Sequence, residues 1–499
     1  MSAATAASGN ITWPLIIVLL SICFGSNFQF YSNSVINNLA SICQSWMNQS
    51  FYDHYGSYLS KHSMSVLWSF SSAAVQLGCL TGAFFTRFLA DRFGRRKALA
   101  IVSVSTIIGS LLDGFAKSAN SFEMFILGRY MIGGGLGCGM ALASILITEI
   151  APVRYRGACG STQQLLVGFG NVVSFVLTLS QVLGNETWWP LTVSVAPFAT
   201  ALIQLLVLVF YAFDSPRFLI LARNNSDAGL QALRFYQGKV GAEVRLQAIK
   251  DEKRALEQKQ EYEEVKKFRF VDIFTRPETR RPLLIALLIV FAVQMTGVAA
   301  VLAYSKTMFM HAGLDDQTAQ YASLGIGMCN FLSPFSTMFL VERAGRKKML
   351  LFGLCLCDLA LFALTVCIVG TNLLNWPGAA TASIPCLYIF QIGFGLSNSI
   401  ALIAPAELFV QEVRASAMTV IFVVVWFLQS LCVLGYLPFS QWVGVAYSYI
   451  PFMVCVSVAI VLLFIFMPET KGKTVEQVAA MFSGKVAPDE EKKILIVKF

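Results

Sequence analysis

The 499-residue chain is 56% apolar, 13% aromatic and only 13% charged, where a soluble protein carries about 25% charged residues, and this excludes an ordinary soluble globule. Its 37 basic and 28 acidic residues leave a net charge of +9, but nucleic-acid binding would need that excess gathered on one soluble face. Twelve helices of about 20 residues need about 240 residues, so the length admits a many-helix membrane bundle with room for loops and tails.

In chain order, residues 1–12 read as a short N-terminus and the first apolar run opens at Trp13-Pro14 with no basic residue before it. It reads as a retained span and not as a signal peptide. Apolar runs predict spans over 13–35, 64–86, 98–116, 123–148, 158–183 and 189–212, which form a six-helix half over 13–212. Residues 213–281 hold fifteen basic and eleven acidic side chains, the composition of a linker with short, solvated, amphipathic helices. A second six spans follow over 282–308, 318–341, 349–370, 381–405, 416–440 and 446–467, making a half over 282–467, and 468–499 form a tail. Of the 37 Lys and Arg, 33 fall in segments on one side of this layout. Basic residues mark the cytoplasmic side, so both termini and the linker are expected inside, in a multi-pass protein of the plasma membrane.

The twelve cysteines show no disulfide framework and no ligand spacing, so neither a metal nor a cofactor is expected. The run from Gly133 to Gly139 lies inside an apolar helix with no lysine after it, which suits helix packing rather than a phosphate loop. With no reactive cluster in sight, an enzyme is not expected.

Three features recur at a near-constant offset. Asp91-Arg92-Phe93-Gly94-Arg95-Arg96-Lys97 reappears 251 residues later as Glu342-Arg343-Ala344-Gly345-Arg346-Lys347-Lys348. Glu149 with Arg156 seven residues on is matched 258 residues later by Glu407 with Arg414, and Ser215-Pro216-Arg217 is matched by Pro468-Glu469-Thr470, which begins 252 residues beyond Pro216. Internal repetition of this kind predicts two parallel six-helix halves with a substrate site near the midplane.

These motifs, with Gly128-Arg129 and Pro405-Ala406-Glu407-Leu408-Phe409, resemble the sugar porter branch of the major facilitator superfamily, and most closely the facilitative hexose transporters of animals. The resemblance covers almost the whole chain. It implies an all-α membrane fold and movement of a hexose or similar small polar solute by alternating access. It also implies a substrate site built from amides, each offering a donor and an acceptor: Gln164, Gln294 and Asn330, with Trp426. Asn171 and Asn398 add amides at positions of their own. The site departs from the family at Val293, Ala299, Phe394 and Val425, so fewer groups remain to pair with sugar hydroxyls. A flat organic solute such as urate, or a non-transporting sensor, therefore stays open beside a hexose.

Asp91, Arg92, Arg95, Arg96, Glu149 and Arg156 in the first half, and Glu342, Arg343, Arg346, Glu407 and Arg414 in the second, read as a cytoplasmic gate whose ion pairs hold the halves together and break as the site opens. Proton coupling needs a titratable group in the path. The first-span position that carries aspartate in proton-coupled relatives is Ser32, and Asp358 and Arg129 are the intramembrane charges weighed; this favours facilitated diffusion. Asn48-Gln49-Ser50 is a glycosylation acceptor expected in the first outer loop, and Val497-Lys498-Phe499 is a candidate strand for a PDZ-type partner. The other partners expected are the solute and the lipid bilayer, with no nucleic acid.

Overall fold

A computed structural model describes residues 11–262 and 272–469, apart from 373, 375, 377 and 410; the C-terminal Val497-Lys498-Phe499 lies outside the described residues. The chain divides into two compact units, Met1–Lys266 and Lys267–Phe499. Among the described residues every regular element is helical.

The first unit contains α1 Trp13–Ile22, α2 Tyr31–Ser34, α3 Ile36–Tyr55, α4 Lys61–Phe93, α5 Arg95–Phe115, α6 Phe122–Ile150, α7 Arg156–Leu177, α8 Trp189–Phe210, α9 Pro216–Leu221 and α10 Ser226–Tyr262. In the second are α11 Asp272–Thr275, α12 Pro277–Gln294, α13 Val298–His311, α14 Asp316–Ala344, α15 Arg346–Asn372, α16 Ala379–Leu408, α17 Gln411–Val443 and α18 Ile450–Phe466. Among the described residues, ten segments are long and apolar enough to cross a membrane. At the expected fifth and eighth positions, α7 and α14 are long helices of more mixed composition.

Helix starts follow local chemistry. Ser60, Ser121, Ser215 and Asp315 each turn a side-chain oxygen onto the amide three residues on, satisfying donors that a helix leaves orphaned. Within the first unit, α6 packs along α4 and α5, and α8 along α5. Gly133 and Gly137 of α6 lie so close to the backbone of Val75 and Cys79 in α4 that a Cβ would overlap it. The glycine run is thus a packing face.

The segment expected as the first outer loop contains a helix, α3, which carries the Asn48-Gln49-Ser50 sequon. Its polar sequence is held by tertiary hydrogen bonds, from Asn38 Nδ2 to Thr178 Oγ1 at 3.0 Å and from Ser50 Oγ to the Asn120 carbonyl at 2.7 Å. In the segment expected as the linker, α10 is two helices, 226–237 and 239–262, that meet at a break at Gly238 (φ +79°), and a small core of Ile220, Leu233, Ala242 and Ile249 fastens them to α9.

The first predicted span is continuous in sequence but not in conformation, for a π-helical turn at Cys23–Asn27 and a 3-10 turn at Phe28–Phe30 separate α1 from α2. The seventh is interrupted between α12 and α13, where Gly297 takes φ +81°. Irregular backbone at membrane depth is tolerated where it is covered by protein or lines a cavity.

Candidate functional site

The repeated charged motifs build the same corner in each unit. At Gly94 (φ +83°) and Gly345 (φ +90°) the backbone takes a conformation that side chains with a Cβ rarely adopt, and a new helix starts at once. In the first unit Asp214 Oδ1 accepts from the amides of Arg95 and Arg96 at 3.1 and 3.2 Å. In the second, the Glu469 carboxylate accepts from those of Arg346 and Lys347 at 3.0 and 3.2 Å. A carboxylate there meets the positive end of the helix dipole. Arg96 donates to the carbonyls of Leu208 and Val209 at 2.6 and 2.8 Å, and Lys347 Nζ to that of Phe464 at 2.7 Å. Each cation thereby covers the negative end of a neighbouring helix, α8 or α18.

The other predicted gate residues behave differently from one another. Arg95 meets Glu149 by two contacts, Nη2 to Oε1 and Nε to Oε2, both 3.1 Å, and its guanidinium lies 5.1 Å over the Phe218 ring. This pair lies inside one unit, so it does not join the halves as the sequence suggested; Gly94 turns α5 so that Arg95 faces the end of α6 in its own unit. Asp91 is exposed and, among the described residues, its ion pair is with Arg87 at 3.5 Å. Arg92 is exposed and lies over the Phe88 and Phe93 rings. Arg156 has no ion pair with Glu149, and its Nε is buried with no hydrogen-bond partner among the described residues. Arg414 donates to the Phe409 carbonyl at 3.2 and 3.3 Å. The side chains of Glu342, Arg343 and Glu407 lie outside the described residues.

Deeper in the first unit, Arg129 is 1% exposed. It donates to the carbonyls of Ser71 at 2.9 Å and Ser32 at 3.0 Å, and stacks over Phe125. Facing it from α5 is Asp113, also 1% exposed, whose carboxylate lies against Gly128 and has no side-chain hydrogen bond among the described residues. The sequence reading passed over this acid, although a lone carboxylate in an apolar run is itself the signal. Asp358, the acid it did weigh, accepts from Ser457 Oγ at 2.6 Å and links α15 to α18.

Of the predicted substrate residues in this unit, Gln164 is half-buried on α7, and Asn171, two turns further, is 1% exposed and accepts from Ser34 Oγ at 2.8 Å. A neighbouring network was not foreseen: fully buried Gln204 of α8 donates to Ser26 Oγ at 2.9 Å in the π-helical turn and accepts from Ser103 Oγ at 3.1 Å.

In the second unit Gln294 is the last residue of α12, buried at the interruption, and accepts from Gln429 Nε2 at 3.2 Å. Gln429 stands three residues beyond buried Trp426 on α17, a spacing that puts both on one helix face and that was available from sequence. Asn330 on α14 and Asn398 on α16 are half-buried. Beside the interruption lies an apolar cleft of about 250 Å³ lined in part by Met295, Cys432, Tyr436 and Phe452, with none of the predicted amides in its wall. Toward the other end of α13, buried Lys306 pairs with Asp316 at 2.7 Å, and the second oxygen of Asp316 accepts from Gln320 at 2.7 Å. Asn48 is half-buried, and its Oδ1 accepts from the Leu59 amide at 2.9 Å.

The chain was compared with known proteins. It is 32% identical over 483 residues to facilitated glucose transporter member 1 of solute carrier family 2 from Gallus gallus, covering 95% of this chain and 94% of that protein. With member 5 from Equus caballus it shares 31% over 481 residues, 95% of this chain and 93% of that one. An inward-open structure of the xylose transporter XylE from E. coli superposes with a TM-score of 0.74 at 19% identity, over 94% of this chain and 99% of that chain, so the fold is that of the major facilitator sugar porters. The profile described as "Sugar (and other) transporter" matches residues 18–482. The chain belongs to this sugar transporter family of multi-pass membrane proteins.

Proposed function

We propose that the protein carries a hexose, or a similar small polar solute, across the plasma membrane by alternating access and facilitated diffusion. In this reading twelve spans form two six-helix pseudo-repeats, both termini and the basic corners face the cytoplasm, and Asn48 on the outer side carries a glycan. The observation that carries the proposal is the interrupted seventh span, α12 and α13, in the second unit. There α12 ends on Gln294, which Gln429 contacts one turn from Trp426, and discontinuous helices with buried polar groups are how transporters of this build hold substrates. Gln164, Asn171, Asn330 and Asn398 supply further amides to the solute. Arg95 with Glu149, and the two glycine corners, set the balance between states, while Asp91, Arg92, Arg96, Arg156, Arg346 and Arg414, with Glu342, Arg343 and Glu407, complete the charged gate. The relatives named as facilitated glucose transporters support a hexose.

One observation favours a second reading, proton-coupled uptake: Asp113 is a buried carboxylate facing Arg129 inside a span. Uptake of labelled glucose, fructose and urate into proteoliposomes tests both readings. Saturable sugar uptake, indifferent to a proton gradient and weakened by Gln294→Leu, is the expected result. Acceleration by an inward proton gradient that is lost in Asp113→Asn would replace facilitated diffusion with coupling. Folded protein that moves urate and no sugar, or no solute at all, would overturn the hexose assignment.

A further inference from the structure

The apolar cleft beside the break of the seventh span has a buried floor and an open rim. Met295, Cys432, Tyr436 and Ser448 form the floor, each 8% exposed or less, while Leu431, Gly435 and Pro451 stand exposed along its edge. The polar atoms of the floor are turned to partners within the protein. Cys432 Sγ donates to the Gln294 carbonyl at 3.8 Å, Ser448 Oγ to that of Val445 at 2.7 Å, and the Tyr436 and Tyr449 hydroxyls share a hydrogen bond of 3.0 Å. The wall is left with carbon and sulfur to offer. That suits neither a sugar nor a lipid headgroup, whose polar groups would go unpaired there.

Position decides between apolar occupants. The cleft is built from three segments able to cross a membrane, Thr279–His311, Ser416–Val443 and Val445–Phe466. Pro451 of its rim leads along α18 into Val454, Val458 and Val461, three and four residues apart on one helix face and more than half exposed. On a membrane span such a face is covered by lipid, and the cleft is continuous with it. Along α17 the lining runs from Leu431 to Phe439, about 12 Å at 1.5 Å per residue, close to the depth of one leaflet of a hydrocarbon core about 30 Å thick. One end lies near exposed Trp442 and Tyr447, residue types that mark the membrane interface, and the other lies at the break. Its volume of about 250 Å³ exceeds the roughly 150 Å³ that takes one benzene ring, room for a chain but not for a whole lipid.

We infer that this cleft binds one acyl chain of a bilayer lipid, which enters from the lipid-facing surface between α17 and α18 and packs on the residues that shape the break. Met295 directly follows Gln294, the end of α12, and a Cβ at Gly297 would lie 3.3 Å from the Phe452 ring that walls the cleft. None of the amides assigned to the solute stands in the wall, so the test does not depend on which solute, if any, is carried.

Gly435 gives the means of testing this. A Cβ added there meets nothing within 4 Å, so Gly435→Leu fills the mouth of the cleft without a clash and replaces a residue that weakens helices. Full-length protein is placed in phosphatidylcholine nanodiscs in which a few per cent of the lipid bears a diazirine midway along one acyl chain. After irradiation, adducts are located by peptide mass spectrometry. Label is expected both at Met295 in the buried floor and at Phe464, exposed on α18. Gly435→Leu should cut the Met295 label severalfold and leave that at Phe464 unchanged, with a Tm equal to the parent's or higher, so that loss of label is not loss of fold. Leu431→Trp, an enlargement at the exposed rim, should act in the same direction. Label confined to exposed residues such as Phe464, or equal at Met295 in the parent and both variants, overturns the proposal. Displacement of the Met295 label by added cholesterol, with the Phe464 label kept, would assign the cleft to a rigid sterol and overturns the acyl chain as its occupant.

Discussion

In the first unit Asp214 caps the amides of Arg95 and Arg96 after a left-handed Gly94; in the second, Glu469 does the same for Arg346 and Lys347 after a left-handed Gly345. The interiors do not match in this way. The first unit buries Arg129 and Asp113, while the second has no charged residue 251–258 positions beyond either one. Its own polar feature is the Gln294–Gln429 contact at a broken helix, where the first unit has a π-helical turn braced by Gln204. Corners repeat because their geometry is local: a positive φ, a helix start that wants an anion and a helix end that wants a cation. Interiors are free to diverge because nothing local dictates them.

The largest effect should come from the unmatched charge. Asp113→Ala leaves Arg129 buried without its facing carboxylate, a loss of about 3 kcal/mol or more. It should appear as the steepest fall in Tm of any substitution considered, measured on purified protein. Replacing both residues, Asp113→Met with Arg129→Met, should recover much of that loss, since an apolar pair does not have to be desolvated as ions. If the double variant is no better than Asp113→Ala, the two residues do not act as a pair.

Next come the two glutamines that mark the irregular helices. Gln429→Leu strips Gln294 of its partner, a change of about 1–2 kcal/mol. On the proposed function it should raise the KM for uptake about tenfold with little change in Tm. Gln204→Leu leaves Ser26 and Ser103 without their shared partner and should do the reverse, lowering Tm by a few degrees while KM holds. A Gln429 variant that only loses stability would make both glutamines braces and would remove the contrast between the units.

How much of this was legible beforehand follows the same division. Gly94 and Gly345, with their basic neighbours, could be read as paired corners because turn chemistry needs only a few adjacent residues. The acids that complete them were in view but unassigned: Asp214 directly precedes Ser215-Pro216-Arg217, and Glu469 sits within Pro468-Glu469-Thr470. Asp113 was lost among apolar residues because its significance lies in Arg129, which reaches it from another helix. The segment 36–55, rich in Asn, Gln and Ser, read as loop from its low apolar content. Contacts from Asn38 to Thr178 and from Ser50 to Asn120 override that weak propensity.

A smaller and symmetric effect should test the corners. Asp214→Asn and Glu469→Gln each keep a hydrogen-bond acceptor but lose the charge facing a helix start, worth about 0.5–1 kcal/mol. The two should lower Tm by similar small amounts, roughly a degree or two. A twofold difference between them would show that the corners match in geometry but not in energy.

The smallest effect is expected at Asp91, although it belongs to the most recognisable motif of the chain. Its pair with Arg87 is 3.5 Å long, with both side chains about two-thirds exposed at 71% and 67%, and hydrated pairs of this kind contribute about 0–1 kcal/mol. Glu149, by contrast, holds Arg95 with side chains only 9% and 18% exposed. Asp91→Asn should therefore leave Tm unchanged within error at both low and high salt, and differential scanning fluorimetry would show it. A fall as large as that of Asp214→Asn would mean that Asp91 has a partner in a state other than the one described, and that exposure in this state does not rank the charges of the corner.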